Sequence, residues 1–102
     1  MSDQFKMTWE KVTEEKFKKM LSKMPIFHRH MTEVGATVKA EINAKARGSR
    51  IVEEGDLMEA MFSEVPLQFY SLMIRLLDDV GFDYKKYKLP RSKGALSDPK
   101  VL

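Results

Sequence analysis

Apolar residues recur at helical spacing along most of this chain. Trp9, Val12, Phe17, Met20, Leu21 and Met24 make a first stripe, with the three-and-four spacing of an amphipathic helix. Thr8 stands where a side-chain oxygen can cap that helix, and Glu10 is favourable near its N-terminus. Lys11, Lys16, Lys18, Lys19 and Lys23 fall mostly off the stripe and read as a solvated face. Pro25 lacks an N–H, so it either ends this helix or opens the next.

The pattern predicts a second helix from Ile26 to Arg47. Phe27, Met31, Val34, Val38 and Ile42 form its main apolar stripe, while Ala36, Ala40, Ala44 and Ala46 are small enough to let another helix come close. Gly35 weakens a helix by roughly 1 kcal/mol relative to alanine; with alanines around it, it reads as a point of close backbone packing. Glu41 and Lys45 are spaced to support the helix as an i, i+4 pair. Gly48 stands where a left-handed C-cap residue is expected. Ile51 and Val52 suit a short extended step. Glu53, Glu54 and Asp56 then crowd the start of a third helix, where negative charge is favourable, and Leu57, Met58, Ala60 and Met61 supply its buried side.

Pro66 marks a further start. Phe69, Leu72, Met73, Leu76, Leu77 and Val80 give the clearest amphipathic pattern in the chain, and Gly81 stops it. Phe82, Tyr84 and Tyr87 either fold back as an aromatic latch or sit exposed. The expected fold is mainly α: a small four-helix domain, bundle-like or histone-like, with at most one short strand near Ile51–Val52. Residues 1–7 read as a frayed end, 8–84 as the domain and 85–102 as a basic flexible tail.

Composition narrows the function. A chain of 102 residues, 43% hydrophobic and 32% charged, fits one small globular domain. The absence of cysteine excludes disulfides, thiolate metal sites and cysteine nucleophiles. No apolar run approaches a membrane span and the start lacks the apolar core of a signal peptide, so a cytoplasmic protein without membrane contact is expected. The net charge of +3 is uneven: residues 1–83 carry 12 Lys/Arg against 14 Asp/Glu, and residues 84–102 carry 6 against 1. A nucleic-acid role would therefore rest on the tail.

His28 and His30 are the only histidines. Their i, i+2 spacing points them to different helix faces, a poor geometry for joint metal binding, although Glu33 follows His30 at the distance of an H-x-x-E pair. The eight methionines fit core filling. A surplus beyond what one small core can hide would favour an oligomer or a partner groove. Helix-start electrostatics accounts for Glu53, Glu54 and Asp56. There is no phosphate-binding loop, nucleophile elbow or triad, so catalysis is not expected. Lys85, Lys86, Lys88, Arg91 and Lys93 interleave with Tyr84 and Tyr87, as in segments that bind phosphate backbones and stack on bases.

In the centre of the chain, Leu21, Met24, Pro25, Ile26, Phe27 and Arg29, then Glu41, Ala44 and Gly48, then Val52, Leu57 and Ala60 follow a family pattern in order, with one helical turn inserted after Arg29. The stretch resembles the small C-terminal domain of the B subunit of light-independent protochlorophyllide reductase and its short stand-alone bacterial relatives. It departs at His28, which replaces an apolar residue, and at Trp9, one turn before the family tryptophan. The resemblance covers about half the chain and implies a small helical module, an accessory role beside a tetrapyrrole and no intrinsic cofactor. It does not carry over the reductase activity, because the chain has no cysteine to hold an iron–sulfur cluster. The A-R-G-x-x-I-V-x-x-x-D-L-x-x-A run is also similar to the helix–strand–helix step of histone-like folds.

Two expectations follow. The first is a non-catalytic module that binds a partner protein, a second copy or a tetrapyrrole-like ligand at the corner formed by Phe27, His28, Arg29 and His30. The alternative is a histone-like dimer that holds DNA through Arg47, Arg50, Lys85, Lys86, Lys88 and Arg91.

Overall fold

A computed structural model describes residues 7–87; the expectations for residues 1–6 and 88–102, Lys88 and Arg91 included, lie outside the described residues. The elements run β1 (Thr8–Trp9), α1 (Lys11–Ser22), α2 (Ile26–Ala46), β2 (Ile51–Val52), α3 (Glu54–Glu64) and α4 (Tyr70–Val80), with 3₁₀ turns at Leu67–Phe69 and Tyr84–Lys86. The described residues form a mainly α small domain of four helices with one short two-stranded parallel sheet.

The beginning of the domain differs from the helical reading. Thr8 does not cap a helix, and Trp9 does not lie on a helical stripe. Both form β1, which pairs with β2 in parallel, Thr8 opposite Ile51 and Trp9 opposite Val52; the Glu10 N–H continues the ladder to the Val52 carbonyl at 2.8 Å. Tertiary contacts decide this. The Trp9 ring stacks on Phe17 at 5.7 Å, and its indole N–H donates to Glu41 Oε2 at 2.9 Å. The Met7 N–H donates to the same oxygen at 3.1 Å. Val12, placed on the first stripe by its spacing, is exposed once the helix starts at Lys11.

Helix ends follow the local chemistry closely. Pro25 immediately precedes α2, whose first turn loses nothing by the missing N–H. Gly48 and Gly81 take left-handed backbone, φ 80° and 90°, and let the chain leave α2 and α4 without Cβ strain. Asp56 Oδ2 accepts the Glu53 N–H at 2.9 Å, which satisfies a free donor at the start of α3.

α2 buries the opposite face from the one its large residues predict. Ala36, Thr37, Ala40, Glu41 and Ala44 are buried, whereas Phe27, Met31, Val38 and Ile42 stand exposed. The reason is distance. α2 and α3 share the most extensive helix contact of the fold, and short side chains let two backbones approach where large ones would hold them apart. Gly35 is not that contact point, since an added Cβ there would meet nothing within 4 Å.

The core gathers Trp9, Phe17, Met20, Leu57, Met58, Met61 and Leu77. α4 contributes Met73, Leu76 and Leu77, as its pattern predicts. The aromatic residues after it fold back. Phe82 is buried, and Tyr84 packs on Phe62 at 5.9 Å. The Tyr87 hydroxyl donates to Glu54 Oε1 at 2.6 Å. Gly55 leaves room for that ring, since a Cβ there would lie 3.0 Å from Tyr87 Cε1. No helix among the described residues is long and apolar enough to cross a membrane.

Candidate functional site

Two concavities compete for the role. One is a polar recess where the N-terminus of α3 meets the last described turn. It is lined by Glu10, Arg47, Glu53, Glu54, Asp56, Glu59, Lys86 and Tyr87. Its charged groups already serve the fold. Arg47 grips the buried Asp56 carboxylate with two hydrogen bonds, Nε to Oδ1 at 2.8 Å and Nη2 to Oδ2 at 2.7 Å. It also lies 3.6 Å from Glu53 and donates to the Ile51 carbonyl. The hydrogen bond to Asp56, more than the nearby carboxylate charges, raises the Arg47 pKa above its ordinary value despite some desolvation. At Glu54, burial opposes the charge, but donation from the Tyr87 hydroxyl and the Asp83 N–H, with Lys86 and Lys16 near, holds the carboxyl below its ordinary range. Tyr87 is pushed the other way by burial and by its bond to Glu54.

The other concavity is an apolar groove of about 500 Å³ between the N-terminal half of α2 and the α3–α4 corner. Met20, Met61, Met73 and Leu76 are its buried floor; Phe27, Met31 and Gly35 form one wall, and Val65, Phe69 and Leu72 the other. Three polar side chains reach it: His28, Thr32 and Glu64. The His28 ring is held between two aromatics, 4.2 Å from Phe27 and 5.1 Å from Phe69. Volume and lining both match those of small-molecule sites, which are mostly apolar with a few polar groups that fix orientation.

The expected corner is therefore divided. Phe27 and His28 do reach the groove. Arg29 turns away to the end of α1, where Nε donates to the Leu21 carbonyl at 2.8 Å and Nη2 to that of Met24 at 3.0 Å. The Leu21 carbonyl also accepts the Met24 N–H at 3.1 Å, and a cation at a helix C-terminus is favourable there. His30 is exposed and lies outside the groove. Among the described residues, no group of three or more His, Asp or Glu is placed to hold a metal ion. For the DNA alternative, Arg47 and Lys86 line the carboxylate-rich recess, Lys86 lies 3.6 Å from Glu54, and Arg50 is exposed.

Residue-by-residue reading misses most of the groove. Its walls come from α2, α3, the 3₁₀ turn after Pro66 and α4, which only the fold brings together. The one available signal was the number of methionines: Met31 is exposed and Met24 half-buried, both at the groove. Comparison with protein-family models, curated proteins and solved structures finds no match to the chain.

Proposed function

We propose that this chain is a non-catalytic binding module whose methionine-lined groove takes an apolar ligand with a flat ring system, such as a tetrapyrrole. The observation that carries this reading is the groove itself, with its buried methionine floor and an imidazole at its rim. Thioether side chains adapt to flat aromatic surfaces and make favourable sulfur–ring contacts. His28, on the groove wall, is the one imidazole able to approach a ring-bound metal. The resemblance of the central stretch to a domain beside a tetrapyrrole site points the same way.

Titration of the purified protein with haemin and with metal-free protoporphyrin tests it. The expected result is a saturable absorbance shift with both at one equivalent. His28→Ala removes the metal-ligation signature of haemin and leaves protoporphyrin bound. Absence of any shift with either porphyrin refutes the proposal.

A further inference from the structure

We infer that the chain pairs with a second copy of itself through the outer face of α2, the two helices lying antiparallel and crossing where Val34 of one copy meets Gly35 of the other. The face is large and apolar: Phe27 is 69% exposed, Met31 71%, Val38 50% and Ile42 51%. At about 3.6 residues per turn these positions fall on one side of α2. Ala36, Ala40 and Ala44 fall on the other and are spent on α3.

The spacing identifies the occupant. Phe27 and Met31 are four residues apart, as are Val38 and Ile42; Met31 and Val34 are three apart, as are Gly35 and Val38. The stripe therefore reads the same from either end, about a point between Val34 and Gly35. A two-fold axis at that point sets Phe27 against Ile42, Met31 against Val38 and Val34 against Gly35, each pair made twice. That is the condition of an isologous interface, in which one patch must complement itself. A foreign partner would not require this reflection. The four-three-four spacing is also that of a knobs-into-holes helix seam.

Gly35 supports the same axis. It stands inside a helix of 21 residues, where glycine is unfavourable, and no close packing among the described residues requires it, because an added Cβ would meet no atom within 4 Å. At the crossing point it becomes the hole that receives Val34 of the second copy. The area fits a weak, reversible pair. Complete covering of Phe27, Met31, Val38 and Ile42 buries at most about 500 Å² per copy, or about 1,000 Å² for the pair, the size of a weak interface. Phe27, Met31 and Gly35 also form a wall of the ligand groove, so this seam shares that wall with the proposed ligand, whereas Val38 and Ile42 lie outside it.

Sedimentation equilibrium of the full chain from about 1 µM to about 1 mM, the range suited to a small apolar interface, tests it. The expected result is a mass that doubles with concentration. Val38→Glu alone and Met31→Lys alone should each leave a monomer, because either places two charges in the apolar seam. The double variant Met31→Lys/Val38→Glu should dimerise again, since the axis sets the two new charges opposite each other. Val12→Glu, on another exposed apolar residue, should leave the dimer intact. Trp9 fluorescence checks that every variant is folded. A wild-type monomer throughout, a dimer that survives Val38→Glu, or a double variant that stays monomeric while folded overturns the inference.

Discussion

Replacing Arg47 by alanine probes the ion pair that ties α2, β2 and α3 together. Asp56 is 4% exposed, and two of its bonds come from Arg47. Without them the carboxylate keeps only the Glu53 N–H among these contacts. Breaking a fully buried pair costs about 3–5 kcal/mol, and an exposed pair is worth about 0–1 kcal/mol. The Arg47 side chain is 44% exposed, so screening brings the expected loss to about 2–3 kcal/mol, a large part of the roughly 5–15 kcal/mol that holds a domain of this size. Urea unfolding followed through Trp9, the single and buried tryptophan, should show the midpoint falling by on the order of 1 M. Asp56→Asn should cost about half as much, since the guanidinium it strands can turn to water. The double variant should lose less than the sum, because both singles break one interaction. An Arg47→Ala midpoint no lower than that of exposed Arg50→Ala would refute the reasoning.

Other outcomes follow from the same packing. Thr37 is fully buried and its hydroxyl has no hydrogen-bond partner among the described residues, so Thr37→Val should stabilise the protein by about 1 kcal/mol in the same melts. Ala40→Leu drives a large side chain into the close α2–α3 contact and should destabilise by about 1–3 kcal/mol, whereas Val12→Ser, on an exposed residue, should change stability by no more than about 0.5 kcal/mol. The Tyr87 latch should respond to pH through Glu54. Its folded pKa is lowered from 4.5, so its stabilising effect is complete above that value and is lost as pH falls through the lower folded value. Tyr87 ring resonances followed by NMR should move toward those of free tyrosine in that acid range, and Glu54→Gln should abolish the pH dependence.

Much of the helical framework was legible because its signals are local. Gly48, Gly81 and Pro25 punctuate the chain by their own backbone chemistry, and the α4 stripe is buried as its spacing predicts. What misled was side-chain size. In α2 a large apolar residue signals burial only if the neighbouring helix stands far enough away, and the alanine face brought α3 too near for that. The pairing of Trp9 with a strand depends on Val52, Phe17 and Glu41, all remote in sequence, so no window around Trp9 could reveal it. Of the candidate site, Phe27 and His28 were legible as a corner. The groove they join was not, because it takes shape only where α3 and α4 meet α2. In the sequence Arg29 and Arg47 look like available cations, yet Arg29 satisfies the carbonyls at the end of α1 and Arg47 the Asp56 carboxylate.

The parallel pairing of Thr8–Trp9 with Ile51–Val52 orders events during synthesis. A nascent chain can form α1 and α2 by local contacts, but the strand pairing of Trp9 must wait until the residues of β2 have left the ribosome. The domain closes only when its middle returns to its beginning. Full burial of Trp9 should therefore lag the helix content of α1 and α2, and the two signals should separate in stalled chains that end before Ile51.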